Sequence, residues 1–282
     1  MQQKFEQARR VIKSVGAGSS IPIIVEIDDR RLYLVKLRGG IAGRYGLLNE
    51  WLAGSIGQAL DLPVRRPVGV QLDAETDFGH LYIEVRELIQ KSLGLNPGWY
   101  FYEESRPFSF DNTGSAHPKL QELFLLDLFL LNVDRSAQNP NLLETPDGLL
   151  SFDYESSLMT SRWLEQRTPH QNPAVLMALR NNPLYTDNLS DESFRRFFER
   201  LSGIDWEAVV GDCPAEWLLR SDDKAAIPAR ELQNALQTAV KNPDLYGDIL
   251  KHLGAMAPES ATTRRQTALS NRLRFEQQLI KN

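Results

Sequence analysis

Three oxygen-bearing side chains occur in an order that suits phosphoryl transfer. Asp134 and Asn139 lie in the polar segment 132–143, directly after an apolar stretch, and Asp153 ends a pair of short strand-like runs. A carboxylate such as that of Asp134 can orient an attacking hydroxyl and accept its proton, while the oxygens of Asn139 and Asp153 are donors that Mg²⁺ prefers. A polar turn that merely ends a buried helix would carry the same residue types, because Asp and Asn bond nearby backbone groups. This segment alone leaves both interpretations open.

A second group of residues near the start of the chain could bind phosphates. Lys36 ends a predicted β-hairpin, and Glu50 lies on the helix predicted to follow it. The loop before the hairpin consists of Gly16, Ala17, Gly18, Ser19 and Ser20. A strand lysine and a helix glutamate can form an ion pair that positions the lysine on ATP phosphates, beneath a loop that covers them. Taken singly, Lys36 would be an ordinary strand-end lysine and Glu50 a solvated helix residue.

The elements that must position these side chains change in type along the chain. Up to about residue 90 the pattern is mostly strand, with one helix. Strand-like runs occur at 21–27, 32–37, 67–72 and 80–88, and a helix is predicted at 47–60. Residues 94–118 are rich in Gly, Pro and aromatic residues, which indicates a long functional loop or a segment that contains a short helix.

Beyond that loop the pattern is largely helical. The almost wholly apolar segment 120–131 predicts a central helix, followed by two short strands at 141–143 and 149–152. Further helices are predicted near 174–179, 191–201, 214–219, 224–240, 245–253 and 262–280. We therefore predict an α+β fold with two lobes, residues 1–90 rich in strand and residues 91–282 rich in helix, with the phosphate site between them.

Composition excludes several classes of protein. The 282 residues carry a formal net charge of −5 and are 42% hydrophobic, which is typical of a soluble globular protein with no general attraction to nucleic acid. The single cysteine, Cys213, and four scattered histidines match no disulfide or zinc pattern, so a reducing, cytoplasmic setting is expected. We expect no secretory signal and no membrane span, since the apolar stretch 123–133 is short and contains Asp127. The sequence motifs of P-loop NTPases, α/β-hydrolases and zincins are missing.

Three blocks of residues, in this order, resemble the HipA-like kinases, and in particular the compact HipA-like domain proteins of bacteria. The first is the small-residue loop 16–20 with the strand after it, and the second runs from Tyr33-Leu34-Val35-Lys36 through Asn49-Glu50-Trp51 to Leu62-Pro63-Val64. The third runs from Asn132-Val133-Asp134-Arg135 through Asn139-Pro140-Asn141 to Phe152-Asp153 and is the most specific. Together they span residues 14–158.

The resemblance implies a bilobal, protein-kinase-like fold that uses ATP and Mg²⁺. By position, Asp134 would be the catalytic residue, Asn139 and Asp153 the metal ligands, Lys36 the phosphate-binding lysine with Glu50 as its partner, and Gly16 to Ser20 the flap over the phosphates. A strand at 80–88 would run into the hinge and place Glu87, Leu88 and Ile89 beside adenine.

The resemblance also implies partners. Known members include serine/threonine kinases that act as toxins of toxin–antitoxin pairs and phosphorylate aminoacyl-tRNA synthetases, and some phosphorylate serines of their own Gly-rich loop, here Ser19 and Ser20. An antitoxin and a protein substrate are therefore expected partners, with no membrane and no direct nucleic-acid binding.

Two departures from the family pattern keep alternatives open. Ser136 stands where many relatives have a bracing histidine, and Tyr154-Glu155 replaces the His-Gly or Phe-Gly that often follows the metal-binding Asp, adding a carboxylate near the metal. One alternative is therefore a pseudokinase that binds nucleotide or a protein partner without phosphoryl transfer. Another is nucleic-acid binding by the basic segment 264–281, although its apolar spacing favours packing against the helical part.

Overall fold

Five strands form a closed barrel near the start of the chain. The computed structural model describes residues 5–15, 21–28, 30–41, 45–110, 118–218 and 227–257. The barrel strands are β1 (Phe5–Ser14), β2 (Ile23–Ile27), β3 (Leu32–Val35), β4 (Val68–Leu72) and β5 (Gly94–Tyr100). Antiparallel pairing gives the order β1-β2-β3-β5-β4, and a parallel pairing of β1 with β4 closes the barrel.

Alternating apolar residues fix the register of the hairpin that ends at Lys36. In β2, Ile23, Val25 and Ile27 are buried in the barrel core, as expected for a strand with one face inside. Ile23 pairs with Val35 across the hairpin, and the backbone N–H of Lys36 donates to the carbonyl of Pro97 in β5 at 3.0 Å. The backbone of Lys36 is therefore fixed at the edge of the barrel by this hydrogen bond.

Helix α1 (Gly46–Ala59) packs with the helical part of the chain, apart from the core of the barrel. Its apolar residues Leu48, Leu52 and Ile56 belong to the same buried cluster as those of the central helix α3 (Pro118–Leu130). Trp51 donates from Nε1 to the carbonyl oxygen of Val209 at 2.8 Å, a tie across 158 positions of sequence. The predicted position of a helix after the hairpin is confirmed, but its main packing partners are distant in sequence.

The rest of the described chain is mainly helical. Its elements after α1 are α2 (Ile83–Lys91), β6 (Arg106–Pro107), α3, β7 (Leu142–Thr145), β8 (Gly148–Ser151), α4 (Met159–Glu165), α5 (Pro173–Arg180), α6 (Asp191–Ser202), α7 (Trp206–Gly211), α8 (Ala229–Val240) and α9 (Pro243–Ala255). Strands β6, β7 and β8 form a small antiparallel sheet. Within the described ranges, no helix combines the length and apolar character needed to cross a membrane.

Most predicted elements are confirmed, with three corrections. The helix predicted at 214–219 is only a short 3-10 helix, Ala215–Leu218. The strand predicted at 80–88 is wrong, because this segment contains helix α2, in which Val85 and Ile89 are one helical turn apart and both buried. The long loop predicted at 94–118 is also wrong in its first part, which is strand β5 of the barrel. The strand-rich part of the chain therefore extends to Tyr100. The helix predicted at 262–280 lies outside the described residues.

Candidate active site

Lys36 lies among three carboxylates. Its Nζ donates to Glu50 Oε1 at 2.5 Å, to Asp153 Oδ1 at 2.6 Å and to Glu155 Oε2 at 3.2 Å. Burial opposes the charged ammonium, but the carboxylates outweigh burial and raise the pKa of Lys36. The ion pair predicted between Lys36 and Glu50 is present, and it belongs to a larger network that matches all three protons of the ammonium.

Hydrogen bonds of the preceding residue hold Glu50 in place. Asn49 donates from Nδ2 to the carbonyl oxygens of Glu155, at 2.9 Å, and Ser157, at 2.8 Å, and its Oδ1 accepts from Thr160 at 2.5 Å. These residues are buried. The beginning of α1 is therefore tied to a segment 106 to 111 positions later in the chain.

Two amide side chains hold Asp134 at the same cleft. Asn139 donates from Nδ2 to the carboxylate and to the backbone oxygen of Asp134, each at 3.3 Å, and Asn141 donates to the carboxylate at 3.4 Å. Burial and the charge of Asp153 raise the pKa of Asp134. Because Asn139 uses its amide nitrogen on Asp134, its Oδ1 remains an oxygen donor for a further partner.

A fully buried arginine braces the loop that carries Asp134. Arg135 forms a two-point ion pair with Asp127 of α3, with Nε to Oδ2 at 2.6 Å and Nη2 to Oδ1 at 3.2 Å. It also donates to the carbonyl oxygens of Pro140 and Asn141, to Ser151 Oγ and to the hydroxyl of Tyr154. This arginine therefore ties the loop to α3 and to β8.

In the segment 153–155, alternate side chains contact two different partners, Lys36 and Arg135. Asp153 has a left-handed backbone with φ of 65°, which few non-glycine residues adopt. Tyr154 is buried, and its ring lies against Arg135, with the guanidinium carbon 5.5 Å from the ring centroid. The flanking residues Asp153 and Glu155 both reach Lys36. Tyr154 therefore anchors the segment and directs two carboxylates to the lysine.

A single cleft of about 730 Å³ contains these groups. Lys36, Asp134, Asn139 and Asp153 all line it. The apolar part of its wall includes Leu34, Trp99, Phe101, Leu143, Leu150 and Phe152. This combination of an apolar wall and convergent polar groups is typical of a small-molecule site, and the volume is adequate for a nucleotide.

The oxygen donors of the cleft fit a hard divalent cation such as Mg²⁺. Carboxylate oxygens of Glu50, Asp153 and Glu155 lie within 4.8 Å of one another. Asp153 is the most exposed of the three, with 27% of its side chain accessible, whereas Glu50 and Glu155 are 2% and 7% exposed. Asp153, together with Oδ1 of Asn139, is therefore the donor best placed to take a cation from the cleft.

Comparison with known proteins identifies the family of this chain. A family model described as HipA-like kinase matches residues 8–249. The chain belongs to the HipA-like kinase family. A kinase-like function and a kinase-like fold of mixed helices and strands follow from that membership.

Solved structures similar to this family member include two kinases. One is a proinflammatory kinase of Helicobacter pylori, CtkA, with 14% identity and a TM-score of 0.49 over 89% of this chain and 99% of that chain. The other is the golgi casein kinase, with 10% identity and a TM-score of 0.43 over 88% of this chain and 72% of that chain. The search of curated proteins finds no match.

The predicted site residues fall into three groups. Lys36, Glu50, Asp134, Asn139 and Asp153 come together around the cleft. Gly16, Ala17, Gly18, Ser19 and Ser20 lie outside the described residues, so their role stays a prediction. Glu87, Leu88 and Ile89 lie on helix α2, and none of these three is among the described residues that line the cleft.

The prediction for Glu87 to Ile89 assumed a strand at 80–88, and that strand is wrong because the segment forms helix α2. Ile89 is buried in the barrel core and Leu88 packs against it, whereas the segment that lines the cleft is the end of β5 with the residues after it, Trp99 to Tyr102. Glu155 was expected near the metal, but its contact with Lys36 was not predicted. The role of Arg135 was not predicted either, because the only signal in the sequence is a single arginine beside Asp134.

Proposed function

We propose that this protein transfers the γ-phosphate of ATP to a serine or threonine hydroxyl of a protein. The observation that carries the proposal is the single cleft lined by Lys36, Asp134, Asn139 and Asp153. These four side chains supply a phosphate-binding cation, a base and two oxygen donors for a metal, the set that phosphoryl transfer needs.

Each group has a distinct task. Lys36, held by Glu50, binds the phosphates as an ammonium whose pKa is raised. Asp134 orients the acceptor hydroxyl and accepts its proton, and its raised pKa makes it a stronger base than an exposed aspartate. Asn139 and Asp153 would hold Mg²⁺, which would supply positive charge to offset the negative charge that develops during transfer. Adenine would lie against the apolar wall beside Trp99 and Phe101, which line the cleft.

Transfer of label from ATP tests the proposal. Purified protein is incubated with γ-labelled ATP, Mg²⁺ and a protein extract, and the labelled products are analysed for phosphoserine and phosphothreonine. We expect label with the wild type and a loss of at least about 100-fold with Asp134→Ala. Asp187→Ala is a matched control, since Asp187 is exposed and outside the cleft. Equal label with wild type and Asp134→Ala, or label on other residue types only, would contradict it.

A pseudokinase is the second candidate, and Glu155 is the observation that favours it. Its carboxylate accepts a hydrogen bond from Lys36, which already donates to Glu50 and Asp153. In that case ATP with Mg²⁺ would raise the melting temperature while no labelled product appeared. Asp153→Asn would remove the metal-dependent part of the shift.

The family resemblance extends the proposal to partners. An aminoacyl-tRNA synthetase is the expected acceptor class, and an antitoxin the expected inhibitor. A panel of purified synthetases offered as substrates with labelled ATP tests the acceptor, and label on none of them would refute this part while leaving kinase activity to the preceding assay.

A further inference from the structure

Glu155 is the carboxylate of the cluster to which the proposed kinase reaction assigns no task. Its Oε2 lies 3.2 Å from Lys36 Nζ, and its side chain is only 7% exposed. It follows Asp153 by two residues and reaches the same ammonium. A phosphate-binding lysine needs a carboxylate partner on the helix, here Glu50, and lies near a metal ligand, here Asp153. Glu155 is therefore one carboxylate more than these roles require.

The donors of Lys36 are fully used by the cluster. An ammonium has three protons, and the three carboxylates lie at 2.5, 2.6 and 3.2 Å. A phosphate oxygen that binds Lys36 must therefore displace one of them. Glu50 is the most buried and the closest, so it stays. Asp153 is the most exposed and can turn to a cation in the cleft, but Lys36 would still keep two carboxylates.

Glu155 is held beside Lys36 by contacts that do not depend on a ligand. Its backbone oxygen accepts from Asn49 of α1 at 2.9 Å. The preceding residue, Tyr154, is fixed by Arg135 and by Ser151 Oγ at 2.8 Å. The backbone of this segment is therefore anchored on both sides, so its position beside the lysine does not require a ligand.

We infer that Glu155 is a positioning residue that competes with the nucleotide phosphate for Lys36 and so weakens binding of ATP. This rests on the proposed function, since it requires that ATP phosphates bind at Lys36. A negative charge fixed beside a phosphate site repels the incoming phosphate, most strongly where water is excluded. Removing that charge should tighten the binding of ATP by about tenfold.

Glu155→Gln is the appropriate variant because glutamine keeps the length of the side chain and an oxygen that can accept from Lys36. Glu144→Gln is the matched control, since it makes the same change at an exposed position on β7. Calorimetry measures Kd for ATP with excess Mg²⁺ and again in EDTA, and steady-state label transfer measures KM and kcat. Glu155→Ala is a second variant that removes the negative charge. Melting temperatures verify that each protein is folded.

We expect Kd for ATP to fall about tenfold in both Glu155 variants, with Mg²⁺ and in EDTA, and KM for ATP to fall without a rise in kcat. Weaker binding that appears only with Mg²⁺ would show that Glu155 is a metal ligand and would overturn the inference. An unchanged Kd for ATP in the folded Glu155 variants, whatever their melting temperature, would overturn the inference as well. If the wild type and all variants bind no ATP, the proposed function fails and the inference fails with it.

Discussion

Removing the buried Arg135 should destabilise the protein more than any surface change. In Arg135→Met the side chain keeps its approximate volume, but the ion pair with Asp127 is lost. Both side chains are completely inaccessible to solvent, so Asp127 would remain as a buried carboxylate whose side-chain donors, among the described residues, are the amides of Asn132 and Asn182. The loop around Asp134 would also lose its ties to β8.

The expected magnitude follows from the burial of the pair. Breaking a buried ion pair by removing one partner costs about 3–5 kcal/mol, because it leaves an uncompensated charge. A typical domain has a free energy of unfolding of about 5–15 kcal/mol, so this variant would lose a large part of its stability. Asp127→Asn should have a cost of similar size, because it leaves the buried guanidinium of Arg135 without its carboxylate partner. In the double variant both charges are gone, and the total cost should be smaller than the sum by at least about 2 kcal/mol.

Urea denaturation followed by tryptophan fluorescence measures this double-mutant cycle, and the five tryptophans of the chain provide the signal. A destabilisation of Arg135→Met below about 1 kcal/mol would refute the reasoning. Additive effects of the two single variants would also refute it, because they would mean that Arg135 and Asp127 do not stabilise each other.

Three further predictions concern binding and stability. Lys36→Met should weaken ATP binding at least about tenfold by calorimetry, because it removes the cation among three carboxylates; unchanged Kd would contradict this. Gly54→Ala should cost about 2 kcal/mol in urea denaturation, since a Cβ there overlaps the backbone of the segment after α1, whereas Gly211→Ala meets nothing and should be neutral or stabilising; equal effects would be inconsistent. Burial and a neighbouring guanidinium lower the pKa of His170 from its usual 6.5, so the unfolded chain binds a proton that the folded chain does not. The melting temperature of the wild type should therefore fall more steeply below about pH 6.5 than that of His170→Gln, and parallel curves would refute this.

The sequence could predict the local parts of the fold. The hairpin that ends at Lys36, helix α1, the apolar helix α3 and the strand pair β7–β8 were predictable, because each has a clear hydrophobic period over neighbouring residues. Strand β5 was not, since Gly94, Pro97 and Gly98 hide its pattern. Gly98 is needed there because a Cβ would meet the side chain of Val70 in the neighbouring strand.

The mistaken strand at 80–88 has a related cause. Apolar residues at Ile83, Val85, Leu88 and Ile89 fit a short buried strand as well as a helix turn, and periodicity alone does not separate the two over so few residues. Packing of Val85 and Ile89 against the barrel decides for the helix. The segment that lines the cleft is instead the end of β5 with the residues after it.

Long-range contacts of the site were the least predictable. The pairing of Lys36 with Glu50 crosses only 14 positions, and the order of elements suggested it. The contact of Lys36 with Glu155 crosses 119 positions and depends on how Tyr154 is anchored by Arg135. Such geometry depends on the assembled core, which a spacing pattern does not contain.

The rate of γ-phosphate transfer by Asp134→Asn, measured at saturating ATP and Mg²⁺ beside Kd for ATP, tests the central claim most directly. The exchange removes the base while keeping the shape of the side chain. We expect the rate to fall by at least about 100-fold with little change in Kd, because Asp134 acts on the acceptor hydroxyl and not on the nucleotide. A variant that transfers phosphate at the wild-type rate would contradict the assignment of this cleft as the site of phosphoryl transfer.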